Sequence, residues 1–384
     1  MKKKTIISLF LIIMIIGITG CGKKTDSSTT SNNESSITKL SISEVFTDRD
    51  LEQTADKKDA KTYTVSDNKN INITEEGVYI ITGSAENASI IIEADDEAKV
   101  QLVLSDLTIK NNNTPCIYVK SADKVFVTTT GKNNLTVSDT FTSDGTTNTD
   151  AVIFSKDDLV MNGTGTLTIS STANGITSKD DLKITGGTIN ITCTADALEA
   201  NDSIAIKDGT ITINTKKDGL HAEYSDDDTV GYIYIAGGTL NITASDDAIH
   251  ATTIIQIDDG TITTNSREGI EGTYIQLNGG DIKITATDDG INAGAKSKSY
   301  TPTIEINGGT ITIDMGQGDT DAIDVNGNLY INGGTLNINA RSPFDYDGTA
   351  KYNGGKLIVN GVETNEITNQ MMGGGGQRGQ NRRR

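Results

Sequence analysis

Apolar and polar residues alternate in short runs that recur between residues 163 and 359. Each run follows a Gly-Thr pair or a close variant of it, as in GTLTI, GTINI, GTITI and GTLNI. In a strand, Ile189 and Ile191 point to one face while Thr188 and Asn190 point to the other. Strict alternation of this kind is typical of a β-strand with one buried face. The chain is therefore predicted to consist of short β-strands.

The strand marker returns with a period near 22 residues. Its threonine stands at positions 166, 188, 210, 239, 261, 310 and 335, and positions 281 and 356 carry Asp and Lys instead. Two further short strands fall within each period, such as DALE and IAIK. A unit that buries only alternate residues must stack on its neighbours. We therefore predict an all-β right-handed parallel β-helix, a solenoid with coils of about 22 residues. A left-handed hexapeptide helix is a poor alternative, because it needs a more regular repeat than this chain has. A calcium-binding nonapeptide roll is also a poor alternative, because the chain has no nine-residue period.

The two ends of the chain differ from the repeat. Residues 1–20 are predicted to be a lipoprotein signal peptide, because a basic start and an apolar run lead to ITGC, which resembles a lipobox ending at Cys21. Residues 21–38 form the predicted lipidated cysteine and flexible Ser/Thr/Asn linker, residues 39–365 the β-helix, and residues 366–384 a disordered Gly/Arg-rich tail. The expected location is extracellular and lipid-anchored to the cell membrane, with an uncleaved membrane anchor as the alternative.

Charge and cysteine content narrow the function classes. The formal net charge of −19 argues against nucleic acid as a partner. Cys116 and Cys193 lie about three coils apart, beyond the reach of a disulfide, so we expect none.

Residues 43–56 are predicted to form a short amphipathic segment that closes the open N-terminal end of the solenoid.

A second marker places an acid at the same point of successive coils. It reads DAVI, NGIT, DALE, DGLH, DAIH, EGIE, DGIN and DAID, beginning at positions 150, 174, 196, 218, 247, 268, 289 and 321. Equivalent positions of neighbouring coils lie about 4.8 Å apart, so these acids form a column. At an effective dielectric near 20, adjacent charges there repel by roughly 3 kcal/mol. The column must be solvated, protonated, diluted by other residues or bridged by cations.

The fourth residue of the marker forms a second column beside the first. Its members are Thr177, Glu199, His221, His250, Glu271, Asn292 and Asp324. Oxygen donors dominate both columns, and DDAIH and DDGIN double the acids, which favours Ca²⁺ with its six to eight oxygen ligands. Two alternatives remain: each Asp stabilises a turn, or His221 and His250 join Glu199 and Glu271 in a transition-metal site. The histidines could also simply dilute the charge.

Two insertions point to a binding surface near the middle of the column. Residues 224–231 and 294–302 lengthen two coils at the same corner, separated by two coils. They are predicted to form walls on either side of Asp247 and Glu268, with a groove across the column. The carboxylates of Asp247 and Asp289 are expected to face solvent.

The repeats TDAVIFSKDDLVMNGTGTLTI, NGITSKDDLKITGGTINI and DALEANDSIAIKDGTITI resemble a family of secreted bacterial carbohydrate-binding proteins. The resemblance covers about residues 40–362 and implies a pectate-lyase-like right-handed β-helix, Ca²⁺ sites and affinity for acidic plant polysaccharide and cellulose. Carried onto this chain, the calcium positions are Asp196, Glu199, Asp218, Asp246, Asp247, Glu268, Glu271, Asp288 and Asp289.

The predicted function is calcium-dependent binding of an acidic, polygalacturonate-like polysaccharide at the cell surface, with cellulose as a further ligand and without catalysis. Shared Ca²⁺ would overcome the repulsion between this acidic chain and a polyuronate. The predicted sugar contacts are Lys217, Tyr224, Arg267, Tyr274, Asn292, Lys296 and Tyr300, in which the tyrosines stack on sugar rings.

Three other functions stay open. A calcium-dependent pectate lyase would take its base from Lys216, Lys217, Arg267 or Lys296. A calcium-stabilised surface adhesin would use the same metal sites without a sugar ligand. The outward Thr-x-Thr pairs leave ice binding as a weaker alternative.

Overall fold

The computed structural model describes residues 39–316 and 320–370. Within those ranges the chain forms one four-residue helix, Ile42–Val45, and 36 β-strands. The strands stack coil on coil in three parallel ladders, and only the last pair is antiparallel. This is the predicted right-handed parallel β-helix. The predicted signal peptide, the lipidated Cys21, the linker and the tail from residue 371 onward lie outside the described residues.

Each coil contributes one strand to each ladder. The first ladder carries the Gly-Thr marker and contains Lys132–Val137, Thr166–Ser170, Thr188–Thr192, Thr210–Asn214, Thr239–Thr243, Thr261–Ser266, Asp281–Ala286, Thr310–Met315, Thr335–Asn339, Lys356–Val359 and the antiparallel Val362–Thr364. The second ladder carries the acid marker and contains Ile71–Ile73, Ile90–Glu93, Ile117–Ser121, Ala151–Ser155, Asn174–Ser178, Leu198–Ala200, Leu220–Ala222, Asp247–Ala251, Glu268–Gly272, Ile291–Ala293, Ile323–Val325 and Asp345–Tyr346.

The third ladder joins the first in the early coils. It contains Lys61–Thr64, Lys124–Thr130, Asp158–Gly163, Asp181–Ile184, Ser203–Ile206, Tyr232–Ile235, Ile254–Ile257, Tyr274–Leu277, Thr303–Ile306, Asn328–Ile331 and Ala350–Tyr352. The long strands Gly77–Glu86 and Lys99–Asn111 run through both ladders. The part of the chain that the structure describes contains no helix long and apolar enough to cross a membrane.

The core follows the predicted strand parity. Ile211 and Ile213 are 0% and 2% exposed, whereas Thr210 and Thr212, which alternate with them, are exposed. Apolar side chains from all three ladders form one continuous interior along the solenoid. Cys116 and Cys193 are free thiols buried in that interior, as expected.

The glycine of the strand marker is required by the corner between the third and first ladders. Gly187 and Gly209 have φ of 87° and 118°, a region that side-chain-bearing residues rarely adopt. A Cβ atom on Gly209 would also lie 3.1 Å from the carbonyl oxygen of Gly187 in the coil below. The marker therefore repeats a glycine because the corner turns tightly against its neighbour.

The N-terminal segment does not close the end of the solenoid, so that prediction is wrong. Residues 39–56, which we call the strap, run along the outer face of the third ladder instead. Val45 and Phe46 pack on Ala205 and Tyr234. The strap lies there because apolar and hydrogen-bonding side chains of several coils face outward on this ladder and contact it.

The ends of the strap are fixed by hydrogen bonds to separate coils. The Leu40 backbone exchanges two hydrogen bonds with the Gln256 amide, at 2.8 and 2.9 Å. At the other end, the Gln53 amide donates to the Thr185 carbonyl at 3.0 Å and accepts from the Gly163 backbone at 3.0 Å. The strap therefore crosses the coils between Gly163 and Gln256.

Candidate functional site

The second ladder aligns the acid marker as predicted. Strand pairing places Thr177, Glu199, His221, His250, Glu271, Asn292 and Asp324 opposite one another in consecutive coils. Asp247 and Glu268 of the first column are paired in the same way. Both columns thus run along one corner of the solenoid.

The first column is tied together by hydrogen bonds to the backbone. Asn174 Oδ1 accepts the backbone N–H of Asp196 at 3.0 Å, and Asp196 Oδ1 accepts that of Asp218 at 3.1 Å. Asp218 Oδ1 accepts the N–H of Asp247 at 2.9 Å. Each side chain therefore satisfies the marker of the next coil, which is why Asn and Asp both occur at this position. These hydrogen bonds join neighbouring coils, so turn stabilisation within a coil, one of the alternatives above, stays a prediction.

The column is much less exposed than expected. Asp247 is 3% exposed, so the expectation that its carboxylate faces solvent is wrong, and Asp289 is half-buried. Asp196, Asp218 and Glu268 are buried as well. Asp196 and Asp218 are held against the next coil by the backbone N–H groups that their carboxylates accept, whereas the Asp247 carboxylate lies within 3.5 Å of His250 and Arg267. Burial and the nearby Glu271 and Glu268 raise the pKa of Asp247 to about 9.

Both histidines of the second column lie at its centre, with ring centroids 4.8 Å apart. His221 Nδ1 is 3.1 Å from Asp196 Oδ2, and its Nε2 is 3.1 Å from Glu223 Oε2. Burial alone would lower the pKa of His221, but these two carboxylates raise it to about 10. For His250, burial and the neighbouring His221 lower the pKa. The two rings therefore differ in protonation although their positions are equivalent.

Potential metal donors converge around these rings. The donor atoms of Asp247, His250 and Glu271 all lie within 4.8 Å of one another, and so do those of Asp218, His221 and His250. A third group of the same kind contains oxygen donors only, from Asp218, Asp246 and Asp247. The sequence-based set of calcium ligands omitted both histidines, although the DGLH and DAIH markers place them in the column.

Arg267 bridges the doubled acids of neighbouring coils. Its Nε atom is 2.6 Å from Asp246 Oδ1, and its Nη1 atom is 2.6 Å from Asp288 Oδ2. Its Nη2 atom lies 2.8 Å from Glu268 Oε1. The guanidinium thus supplies positive charge to acids that were expected to hold Ca²⁺. Burial alone would lower the pKa of Arg267, but these carboxylates raise it.

Lysines neutralise other members of the columns. Lys217 Nζ is 3.4 Å from Asp196 Oδ2, and Lys296 Nζ is 2.7 Å from Glu271 Oε1. Lys179, which the sequence analysis did not consider, pairs with Glu199 Oε1 at 2.9 Å. Every one of these lysines lies beside the column, so the predicted sugar contacts Lys217 and Lys296 are placed at the site.

The two insertions meet instead of standing apart as walls. Ser297 Oγ donates to the backbone carbonyl of Asp228 at 2.5 Å, and the Lys298 backbone donates to the Asp228 carboxylate at 3.3 Å. The two loops therefore contact each other across the two coils that separate them. This contact could not be derived from insertion length, because it depends on how each loop bends.

The three tyrosines that were predicted to contact sugar rings lie in different environments. Tyr224 is 38% exposed on the first insertion and Tyr300 is partly exposed on the second. Tyr274 is only 5% exposed and belongs to the third ladder, where its hydroxyl donates to Glu305 Oε1 at 2.6 Å. The prediction that Tyr274 stacks on a sugar ring is therefore wrong, because the coil turns a corner between Glu271 and Tyr274.

The C-terminal part of the column consists of oxygen donors. Burial and the nearby Asp324 and Glu268 raise the pKa of Asp289 to about 7. Burial and the nearby Asp345 and Asp321 raise the pKa of Asp324 to about 6. Asn292 lies between Glu271 and Asp324 in the second column and donates its amide N–H to Glu268 Oε2 at 3.0 Å. Negative charge therefore accumulates in this part of the site.

A further acidic cluster was missed in the sequence. Donor atoms of Asp158, Asp180 and Asp181 lie within 4.8 Å of one another at the corner between the second and third ladders. Burial and the neighbouring Asp158 raise the pKa of Asp180 to about 7. The repeated SKDDL at 155–159 and 178–182 is the signal that would have identified this cluster.

The fold is that of a pectate-lyase-like parallel β-helix protein, with an acidic column along one corner. The chain belongs to the carbohydrate-binding domain-containing protein family, because the model of that family matches residues 67–320 and 264–369. A carbohydrate-binding domain-containing protein of Acetivibrio thermocellus is 41% identical over 201 residues, which cover 50% of this chain and 70% of the relative. A solved structure, that of the polysaccharide lyase-like protein from C. thermocellum as a gadolinium derivative, is 28% identical with a TM-score of 0.51. That match covers 55% of this chain and 93% of the other.

Proposed function

We propose that this protein binds an acidic, polygalacturonate-like polysaccharide through Ca²⁺ shared between its acid column and the uronate carboxylates of the sugar. Cellulose is a second proposed ligand. Binding proceeds without cleavage, and the protein acts outside the cell, attached to the membrane through a lipid on Cys21. The general carbohydrate-binding function follows from the family, and the calcium bridge explains how a chain of net charge −19 holds a polyanion.

The observation that carries the calcium proposal is the electrostatics of the C-terminal part of the column. The pKa values of Asp289 and Asp324 are raised to about 7 and 6 by burial and by other acids. A bound cation removes this repulsion and keeps both groups ionised. Asp289, Asp324 and the amide oxygen of Asn292 offer hard oxygen donors, which suit Ca²⁺. These residues would hold the ion, and Ca²⁺ would supply a contact to a uronate.

The proposed sugar contacts come from the same corner. Tyr224 is the exposed aromatic ring of the first insertion, and ring stacking on a sugar needs an accessible face. Lys217 has a side chain 52% exposed next to Asp196, and Lys296 contributes a second ammonium group. Cationic groups at the edge of the column attract a polyuronate that the acids alone would repel.

The pairing of three of the four candidate bases, Lys217, Arg267 and Lys296, with carboxylates supports binding without lyase activity. A base that removes the proton α to a uronate carboxylate must be deprotonated and free to reach it. Carboxylates raise the pKa of Arg267 and of Lys217 against the opposing effect of burial, which favours their charged forms. Lys296 is held by Glu271 at 2.7 Å. A lyase is the second candidate, because the fold resembles that of a polysaccharide lyase-like protein.

Calorimetry with Ca²⁺ and pull-down on polygalacturonate test the proposal. We expect chelation to weaken binding to polygalacturonate much more than binding to a neutral glucan. Asp289→Asn combined with Asp324→Asn should reproduce that loss. Asp281→Asn is the matched control, because it removes one charge from an exposed position of the first ladder. Polygalacturonate binding that survives chelation unchanged contradicts the calcium bridge.

A lyase assay separates the two candidates. Incubation with polygalacturonate and Ca²⁺ should produce no ultraviolet absorbance from an unsaturated product. A calcium-dependent signal that disappears in Lys217→Ala or Lys296→Ala would favour the lyase instead.

A further inference from the structure

Three side chains at the centre of the second ladder form a nitrogen- and oxygen-containing donor set. His250 Nδ1 lies 3.1 Å from Asp247 Oδ2 and 3.2 Å from Glu271 Oε2. Bonds of about 2.0–2.1 Å to a tetrahedral metal ion place neighbouring donors roughly 3.3 Å apart. Two of the three separations therefore match those of a small tetrahedral site, and the donor atoms of all three residues lie within 4.8 Å of one another.

A second observation concerns the other oxygen of the same Asp247 carboxylate, which lies on the side of Arg267. Asp247 is 3% exposed, and its Oδ1 atom is buried without a hydrogen-bond partner. The nearest cationic atom is Arg267 Nη2 at 3.5 Å, beyond good hydrogen-bond geometry. A buried carboxylate oxygen in this state is costly, and metal coordination is one way to satisfy it.

The surroundings orient these donors. Glu271 Oε1 is held by Lys296 Nζ at 2.7 Å, which leaves Oε2 turned to His250. Asp218 Oδ2 lies 4.0 Å from His250 Nδ1 and 3.5 Å from His221 Nδ1. Asp218 lies outside the group of Asp247, His250 and Glu271 but shares His250 with it, which makes Asp218 the candidate fourth ligand, and His221 holds it in place. Partners of this kind, one step removed from the ion, fix the geometry of metal ligands.

We propose that Asp247, His250 and Glu271, with Asp218 as fourth ligand, bind a transition-metal ion such as Zn²⁺ at a site separate from the calcium-binding part of the column. The imidazole decides the class of metal, since nitrogen donors suit Zn²⁺ whereas Ca²⁺ takes oxygen ligands in larger number. The site shares no ligand with the proposed calcium donors Asp289, Asp324 and Asn292, so it can be tested separately from them.

Titration of the metal-free protein with Zn²⁺, followed by calorimetry, tests the site. We expect one Zn²⁺ per chain, retained in excess Ca²⁺. Co²⁺ serves as the spectroscopic probe, because its visible absorption distinguishes tetrahedral from octahedral coordination. His250→Gln and Glu271→Gln should each weaken Zn²⁺ binding by at least about 10–100-fold. His221→Gln should weaken it less, because His221 only positions Asp218.

Controls keep the result unambiguous. Circular dichroism should show that His250→Gln retains the fold, because the His250 side chain lies on the outer side of the coil and is partly exposed. Asp289→Asn with Asp324→Asn should leave Zn²⁺ binding unchanged while it impairs Ca²⁺-dependent polygalacturonate binding. Zn²⁺ affinity that is equal in His250→Gln and the unaltered protein would overturn the proposal, as would octahedral Co²⁺ or the absence of any Zn²⁺ heat.

Discussion

Asp196 and Asp218, which occupy equivalent positions in adjacent coils, are joined through the Asp196 Oδ1 atom, which accepts the backbone N–H of Asp218 at 3.1 Å. The same contact recurs between Asp218 and Asp247. The repeated acid thus belongs to the hydrogen bonding of the solenoid before it belongs to any ligand site.

The Asp196–Asp218 contact gives the first prediction. Asp196→Ala leaves the buried N–H of Asp218 without an acceptor, and we expect a loss of about 1–3 kcal/mol in the free energy of unfolding. Asp196→Asn keeps the acceptor oxygen and loses only the charge beside His221 and Lys217, so its effect should be smaller. Urea denaturation of both variants measures the difference. Equal losses would show that charge pairing, not the backbone contact, is the stabilising term.

Strand parity gives the second prediction. Ile211→Asp places a charge in the apolar interior, where Ile211 is fully buried, and should cost several kcal/mol. Thr210→Asp, one residue earlier and exposed, should be close to neutral. Thermal melting compares the two variants. A Thr210→Asp protein as unstable as Ile211→Asp would contradict the assignment of inward and outward faces.

The strap gives the third prediction. Asp50 is fully buried, and its carboxylate lies 3.5 Å from Lys124 Nζ and 3.6 Å from Lys183 Nζ. Asp50→Ala leaves two largely buried ammonium groups with less compensation, which should cost about 3 kcal/mol. Asp48→Asn is the matched control, because Asp48 is an exposed acid of the same segment. If both substitutions have the same effect in denaturant titrations, the strap is not held by this ion-pair network.

The cluster around Asp180 gives a prediction about pH. Its pKa in the folded protein is about 7 against an ordinary value of 3.8, so the native state binds more protons than the unfolded chain between these values. The contribution of Asp180 to stability is therefore complete below about pH 4 and is lost as the pH rises towards 7. Asp180→Asn should flatten this part of the stability profile and raise the melting temperature at neutral pH. An unchanged slope in melts from pH 4 to 8 would contradict the elevated pKa.

The local features of this fold could be predicted because they repeat. Inward Ile211 and outward Thr210 follow from a period of two, and the alignment of Glu199 with His221 follows from the spacing of the coils. The burial of Asp247 could not be predicted, since it depends on how His250 and Arg267 pack against its carboxylate.

Contacts between distant parts of the chain could not be predicted from the sequence either. Lys183 Nζ donates to the Val45 carbonyl at 2.8 Å across 138 residues, so no local pattern indicates where the strap lies. Tyr274 was misplaced because the corner after Glu271 turns within two residues, between the strands Glu268–Gly272 and Tyr274–Leu277.

The strap also bears on how the chain avoids misthreading. Coils with nearly interchangeable strands can stack one coil out of place and still bury the same aliphatic faces, because Ile189, Ile211 and Leu240 are equivalent partners. A strap that must reach Gly163 at one end and Gln256 at the other fits only one count of intervening coils. The strap can therefore form both of its end contacts only in the native stacking, and not when the coils are stacked one position out of register.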